Sequence, residues 1–173
     1  REPSKNVIDE IRRAVIDINE IVDRCTQAGR LNDLKLLVHP EAVDLVQELR
    51  SMQTRLSGQG FIRLEVPETC RVTVDVQVLR MLLSNLMGNA VKYRRDNTEV
   101  WVHLVADCED SSFICLQIDN LEGQSGRPDP QLVFSKYYRN PNARRKTGSG
   151  LGLFLVSELV EQIGSTVRYV DHE

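Results

Sequence analysis

Asn85, Asn89 and Lys92 have side chains and a spacing that could bind a metal ion and a phosphate together. At 100° per residue on a helix, Asn89 lies about 40° and Lys92 about 20° from Asn85, so the three share one face. Amide oxygens suit a hard cation such as Mg²⁺, and an ammonium suits a phosphate. Taken alone, an asparagine pair favours a plainer interpretation, a solvated polar stripe on an amphipathic helix. The sequence further along the chain decides between the two.

A second candidate anion site is the glycine-rich segment 148–152, which leads directly into an apolar helix predicted over 150–163. Its backbone amides would lie at a helix N-terminus, where anions bind. A basic loop with Arg139 and residues 144–146 precedes it, rather than the strand of a dinucleotide fingerprint, which favours a polyphosphate. The spacing alone is a weak signal, because packing glycines at a helix start and a solvated basic loop also explain it.

The composition is that of a soluble globular domain in a reducing cytoplasm. Of 173 residues, 41% are hydrophobic and 27% charged, and the formal net charge of -3 gives no general attraction to nucleic acid or anionic membranes. The four cysteines form no CxxC pair, so neither a zinc site nor a disulfide framework is predicted. No apolar run is long enough to span a membrane. We therefore expect a cytoplasmic location, without nucleic-acid or direct membrane contacts in this segment.

The first 30 residues predict a long helix with a wide apolar seam. Apolar residues recur at heptad spacing from Val7 to Ala28, so this helix needs a partner helix in the same chain or in another copy. Gly29 and the polar residues after it end the helix. We place a domain boundary near residue 30, with residues 31–173 forming the second unit.

Residues 31–173 predict an α+β fold. Further helices are expected at about 40–52, from Asp75 as N-cap to about Tyr93, and at 150–163; strands are expected at about 34–38, 62–66, 72–74, 100–105, 113–118 and 166–170. The acidic turn 107–110 is typical of a hairpin. These elements predict a mainly antiparallel sheet covered by helices on one face, a two-layer α/β sandwich. Residues 120–150 are too long for a simple connector and predict a functional loop.

Four motifs in this order resemble the N, G1, F and G2 boxes of the sensor histidine kinase catalytic domain, which has the Bergerat ATP-binding fold. They are the asparagine helix, Asp119-Asn120, Phe134 with Tyr137-Tyr138-Arg139, and the 148–152 loop. The resemblance covers about residues 34–170. In addition, the predicted helix over 6–28 resembles the second helix of the family's dimerisation and phosphoacceptor hairpin.

The resemblance implies a role for each matched residue. Asn89 would be the principal Mg²⁺ ligand and Asn85 the second polar group at the metal and phosphates, while Lys92 and Tyr93 would line the ATP. Asp119 would accept a hydrogen bond from the adenine amino group, and residues 135–147 would form a mobile lid. For Phe134, core packing is the alternative to nucleotide contact. The other expected ATP contacts are Gly123, Phe134, Arg139, Lys146, Thr147, Gly148, Ser149, Gly150, Leu151 and Gly152.

One position departs from the family's G1 pattern of Asp-x-Gly-x-Gly, because Leu121 stands at the first glycine. If that position needs a positive φ or a close backbone approach, Leu121 would weaken ATP binding. Leu121 therefore favours an alternative function, a degenerate non-catalytic module that docks a kinase or a response regulator. The intact Asn85, Asn89, Asp119 and three-glycine loop oppose that alternative.

Asn85 favours a kinase over an ATPase. ATP-hydrolysing relatives have a glutamate at this position as general base, whereas an amide takes no proton at neutral pH. His39 precedes a proline at a predicted helix start, His103 lies in a predicted strand and His172 lies at the chain end. The resemblance thus implies transfer of the ATP γ-phosphoryl group to a histidine outside this segment, in the parent kinase's hairpin, for relay to the receiver domain of a response regulator. It also implies a homodimeric parent.

Overall fold

The computed structural model describes residues 39–56, 61–106, 114–143 and 148–171. The predicted N-terminal helix, the predicted strand at 34–38 and the turn at 107–110 lie outside the described residues, as do Lys146 and Thr147. In chain order the elements are β1 Glu41–Asp44, α1 Leu45–Leu56, β2 Ile62–Glu65, β3 Arg71–Val74, α2 Val76–Tyr93, β4 Val100–Ala106, β5 Ile114–Asn120, a 3₁₀ turn Pro141–Ala143 and α3 Gly152–Gln162.

Within the described residues, the strands form two small sheets. β1 pairs antiparallel with β3, while β4 lies between β2, its parallel partner, and β5, its antiparallel partner. The predicted antiparallel pairing of the strands after α2 is confirmed, and its register matches Val100 with Asn120. Because β2 and β4 are parallel, the chain must cross over between them, and α2 lies in that crossover.

Helices cover one face of the three-stranded sheet, as the alternating pattern predicts. Val100 and Val102 are fully buried and share a core with Leu83 and Met87 of α2. Trp101, between the two valines, belongs to the opposite face because successive side chains of a strand alternate. The two-layer α+β architecture is therefore confirmed.

The prediction that α1 starts at Pro40 is wrong, because strand β1 lies between Pro40 and the helix. Residues 41–44 pair with β3, and the helix begins only at Leu45. Asp44 explains the boundary, because its carboxylate accepts hydrogen bonds from the backbone N–H of Val46 at 3.0 Å and of Cys70 at 3.2 Å. An aspartate that accepts from the first turn is a favoured N-cap, and Pro40 lies outside it.

The predicted strand at 166–170 is also wrong. Residues 165–171 belong to no strand. At the start of this segment, the backbone N–H of Ser165 donates to the carbonyl oxygen of Val160 at the end of α3, at 2.8 Å. Alternating side chains predict which way a segment faces, whereas a strand also requires a backbone partner. Gly164, at φ 66°, does end the helix as predicted.

α2 and α3 pack against each other through a second apolar cluster. Val78 and Leu82 of α2 contact Val156 and Leu159 of α3, all at least nine-tenths buried. This packing fixes α3, and with it the glycine loop that precedes α3. Within the described ranges, no helix is both long and apolar enough to cross a membrane.

Candidate functional site

The three polar residues of α2 differ in their surroundings. Asn85 is only 8% exposed, and its side-chain amide donates to the carbonyl oxygen of Met81 at 2.9 Å. Asn89 and Lys92, closer to the end of the helix, are half-buried. Asn85 is thus held rigidly within the packing of α2, while Asn89 lines an open cavity beside the helix.

The glycine loop lies against the end of α2. A β-carbon on Gly148 would lie 3.2 Å from Nζ of Lys92 and 3.9 Å from the hydroxyl oxygen of Tyr93. The two motifs, far apart in sequence, therefore meet in space, with an ammonium beside the backbone of the loop. An ammonium group next to the backbone amides of a glycine loop is suited to binding a phosphate.

Position 150 requires a glycine for two reasons, its backbone conformation and the closeness of the neighbouring backbone. Its φ of 72° is in the left-handed region, and a β-carbon would lie 2.7 Å from the carbonyl carbon of Tyr137 and 2.8 Å from the carbonyl oxygen of Tyr138. The backbone N–H of Tyr137 donates to the carbonyl oxygen of Gly150 at 3.0 Å. The predicted lid segment is thus fastened to the glycine loop at this point.

The first turn of α3 begins without a side-chain cap. Leu151 is the N-cap residue and makes no capping hydrogen bond; it is 2% exposed and anchors the loop in the core. The leading amides of a helix need partners, and a phosphate is a suitable one. The backbone geometry of the loop is therefore compatible with its predicted role in phosphate binding.

The segment after β5 runs close to the end of α2. The backbone N–H of Gly123 donates to the carbonyl oxygen of Tyr93 at 3.1 Å, and a β-carbon on Gly123 would lie 2.5 Å from the carbonyl oxygen of Arg94. Glycine is needed here for close approach. Among the described non-glycine residues, Asn97 and Tyr137 have positive φ, so Leu121 avoids that strain at its position.

Asp119 lies on the face of the sheet that the helices leave uncovered. It pairs with Trp101 in the register of β4 and β5, and its Oδ2 accepts a hydrogen bond from Gln117 Nε2 at 2.8 Å. The same oxygen lies 3.6 Å from Nε2 of His103. Asp119 also lines the cavity beside α2, and its predicted contact with adenine stays a prediction.

Asn120 follows Asp119 at the end of β5. It continues the alternating series of Ile114, Leu116 and Ile118, is exposed, and lines the cavity described next.

An open cavity of about 1780 Å³ lies beside α2, β5, the 121–143 loop and the glycine loop. Phe134 lines it and is half-buried, whereas the adjacent Val133, at 5% exposed, takes the core position. Asn85, Lys92, Gly123, Ser149 and Leu151 are outside its lining. The predicted site residues that line the cavity are Asn89, Tyr93, Asp119, Phe134, Arg139, Gly148, Gly150 and Gly152.

Arg127 fastens the loop that borders this cavity. Its guanidinium lies 2.7 Å from a carboxylate oxygen of Glu122 and 2.8 Å from one of Asp171. Tyr138 adds a second tie, because its hydroxyl oxygen accepts from the backbone N–H of Asp129 at 2.8 Å. No local pattern in the sequence predicts these contacts, because they depend on how the loop folds and on the distant Asp171.

The donor set of the site is amide and ammonium rather than carboxylate. In the part of the chain that the structure describes, no group of three or more histidine, cysteine or acidic side chains could hold a metal ion. A magnesium ion commonly takes few protein ligands and several phosphate oxygens and waters. The half-buried Asn89 beside the phosphate-binding loop fits that mode.

A two-layer sandwich with an asparagine helix facing a glycine loop defines a nucleotide-binding domain. The family model described as "Histidine kinase-, DNA gyrase B-, and HSP90-like ATPase" matches residues 74–173. The chain belongs to this family, and its residues 74–173 correspond to the ATP-binding catalytic domain of the sensor histidine kinases that it resembles.

Individual relatives agree with this assignment. The signal transduction histidine-protein kinase/phosphatase MprB of Mycobacterium ulcerans is 30% identical over 178 residues, which cover 99% of this chain and 34% of that protein. Sensor histidine kinase HprS of Escherichia coli is 25% identical, with 88% of this chain and 34% of that protein covered. A solved structure of a mycobacterial MprB has a TM-score of 0.63 at 28% identity, covering 75% of this chain and 84% of that one. The chain thus spans about a third of the length of these curated relatives.

Proposed function

We propose that this domain binds Mg-ATP between the end of α2 and the glycine loop and transfers the γ-phosphoryl group to a histidine of its parent kinase. The observation that supports this most strongly is the approach of Gly148 to Lys92 and Tyr93. It joins a cation, a polar helix face and uncapped helix amides in one place. Phosphoryl transfer depends mainly on such positioning and charge neutralisation.

Each group then has a role that its surroundings support. Asn89 supplies an amide oxygen to the magnesium ion, and Lys92 neutralises phosphate charge. Asn85, fixed by its bond to Met81, is the second polar group of this face. A bound magnesium ion supplies further charge neutralisation at the phosphates.

The loop residues complete the site. The amides of 148–152 surround the phosphates, with Ser149 beside them and Leu151 as the buried anchor. Tyr93, Phe134 and Arg139 border the nucleotide, and Lys146 and Thr147 extend the basic lid.

Transfer rather than hydrolysis is supported by the chemistry of Asn85. Its amide donates a hydrogen bond and is no base at neutral pH, so it does not activate a water molecule. Neither of the two described histidines, His39 and His103, lines the cavity. We therefore propose that the acceptor is in the phosphoacceptor hairpin of the parent, a cytoplasmic homodimer region of a membrane-bound sensor, and that a response regulator receives the phosphoryl group.

A titration with a fluorescent ATP analogue, with and without Mg²⁺, tests the binding step. We expect saturable binding that Mg²⁺ strengthens, and a loss of affinity of about tenfold in Asn89→Ala. Ser84→Ala, an exposed change on the same helix, is the matched control and should bind as the unaltered chain does. Absence of binding at high micromolar protein would reject the proposal.

The transfer step needs a separate assay. The chain is incubated with γ-labelled Mg-ATP and the parent's hairpin supplied as a second polypeptide. We expect acid-labile label on the hairpin and none on the chain alone. If a full-length parent labels itself while this pair does not, the domain lacks independent catalytic competence.

A further inference from the structure

Arg94, not a glycine, is the residue at which α2 ends, directly after Lys92 and Tyr93. Its backbone is extended, with φ -61° and ψ 159°, rather than left-handed. The last carbonyl groups of a helix lack partners within it, and a left-handed glycine is a common means of supplying them. The end of α2 is therefore held in another way.

Arg94 itself supplies partners to the last turn of α2. Its backbone N–H donates to the carbonyl oxygen of Ala90 at 3.1 Å, and its Nη1 donates to the carbonyl oxygen of Val91 at 2.6 Å. A guanidinium at the C-terminus of a helix also interacts favourably with the helix dipole. Arg94 thus holds the turn that carries Lys92.

The same guanidinium fastens this turn to the sheet. Its Nε donates to the carbonyl oxygen of Thr98 at 3.1 Å, and its Cζ lies 4.1 Å from the ring centroid of Phe61. The carbonyl oxygen of Phe61 in turn accepts from the backbone N–H of Val100, at the start of β4, at 2.7 Å. A planar guanidinium can stack on a ring and donate from its edge at the same time, which an ammonium cannot do.

Arg94 is not part of the cavity wall. Tyr93 and Arg95 line the open cavity, whereas Arg94, between them, is outside its lining. Lys92, two residues earlier, is the cation whose Nζ approaches Gly148. Because helix ends fray, an unanchored last turn would let this ammonium move away from the glycine loop.

We infer that Arg94 is a positioning residue for phosphate binding: it holds Lys92 against the glycine loop without touching the nucleotide. The inference rests on the proposed function and adds to it a residue outside the nucleotide contacts. Arg94 acts through its bonds to the last turn of α2 and through its stack on Phe61. A lysine in its place keeps the charge but loses the fork and the stack.

Calorimetric titration of the full 173-residue chain with Mg-ATP tests the inference. Arg94→Lys should bind about tenfold more weakly than the unaltered chain. Arg80→Lys is the matched control, because it removes another guanidinium fork from the same helix, the one bonded to Glu48. It should bind within about twofold of the unaltered chain.

Phe61→Leu tests the stack separately and keeps the inference open to either result should Arg94→Lys not fold. It retains an apolar side chain but removes the ring. We expect it to bind Mg-ATP about threefold more weakly than the unaltered chain.

A Lys92→Met background separates positioning from a plain loss of stability. This variant has already lost the ammonium, so adding Arg94→Lys should change the affinity by less than about twofold. A change that weakens binding only by destabilising the fold would lower the affinity as much in this background as in the unaltered chain. Urea unfolding of each variant measures how much of the titrated protein is folded.

The inference is overturned if Arg94→Lys or Phe61→Leu binds like the unaltered chain, or if Arg80→Lys loses as much affinity as Arg94→Lys. It is also overturned if Arg94→Lys lowers the affinity equally with and without Lys92. Each of these results leaves the proposed function standing, because the unaltered chain still binds Mg-ATP. Failure of the unaltered chain to bind Mg-ATP would instead reject the proposed function.

Discussion

At the scale of single residues, Lys92 is where α2 meets the glycine loop, because its Nζ lies close to the backbone of Gly148. The types and spacing of Asn85, Asn89 and Lys92 indicated a metal and phosphate site, and the structure brings Lys92 to the glycine loop. The burial of Asn85 and its bond to Met81 depend on how α2 packs, which helical spacing does not specify. The pairing of Asp119 with Trp101 likewise follows from strand register, a property of two paired segments.

Gly150 and Gly164 allow backbone strain to be separated from steric conflict. Both have φ near 70°, but a β-carbon on Gly150 meets the backbone of Tyr137 at 2.7 Å, whereas one on Gly164 meets nothing within 4 Å. Gly164→Ala should therefore lose about 1 kcal/mol of unfolding free energy and keep its nucleotide affinity. Gly150→Ala should lose about 2 kcal/mol or more and most of its nucleotide affinity.

Urea unfolding and nucleotide titration of the two variants provide the comparison. Equal losses of stability in both would show that the approach of Gly150 to Tyr137 is unimportant.

At the scale of elements, periodic segments were predicted well and segments defined by distant partners were not. α2 ends at Tyr93 as expected, and Asp75 caps it by accepting from the backbone N–H of Gln77 at 2.8 Å and of Val78 at 3.1 Å. The sequence analysis did not predict β1, because this strand is defined by its pairing with β3, which lies further along the chain. The segment 166–170 shows the converse, since its side chains alternate but it belongs to no strand.

The cap of α2 should contribute measurably to stability. Asp75→Ala is expected to lower the unfolding free energy by about 1 kcal/mol, because two leading amides of α2 lose their acceptor. Asp75→Asn retains an acceptor oxygen and should lose less. Chemical denaturation at pH 7 measures both, and equal loss in the two variants would contradict the capping role.

Gly88 lies in the interior of α2 without a packing requirement. A β-carbon there would meet no atom within 4 Å, so no steric contact requires glycine at this position. Glycine lowers the stability of the helix because it loses more backbone entropy on folding than alanine does. Gly88→Ala should raise the unfolding free energy by about 0.5 to 1 kcal/mol and leave nucleotide affinity unchanged. A lower melting temperature, or weaker nucleotide binding, would show that Gly88 has a role that packing does not reveal.

At the scale of the whole molecule, charged pairs connect elements that the sequence leaves unconnected. Arg80 of α2 donates two hydrogen bonds of 2.8 Å to Glu48 of α1. Arg127 similarly connects Glu122 with Asp171. No periodic pattern predicts such pairs, because each depends on the final arrangement of helices and loops.

These contacts predict how stability depends on pH. The hydrogen bonds from Arg80 lower the pKa of Glu48, and the backbone N–H of His39, followed by that of Val78, lowers the pKa of Asp75. A depressed folded pKa gives stability that is fully present above the unfolded pKa and is lost as pH falls through the folded one. The melting temperature should therefore fall below about pH 4.5, and Glu48→Gln should reduce that fall. A melting temperature constant down to pH 3 would contradict this account.

Hydrogen exchange with and without saturating Mg-ATP tests the central claim most directly, because it locates the nucleotide on the chain. We predict slower amide exchange in the C-terminal half of α2 and in residues 148–156, with α1 unchanged. Protection that is absent at saturating Mg-ATP, or that falls on α1 and the uncovered sheet face instead, would contradict a nucleotide site between α2 and the glycine loop.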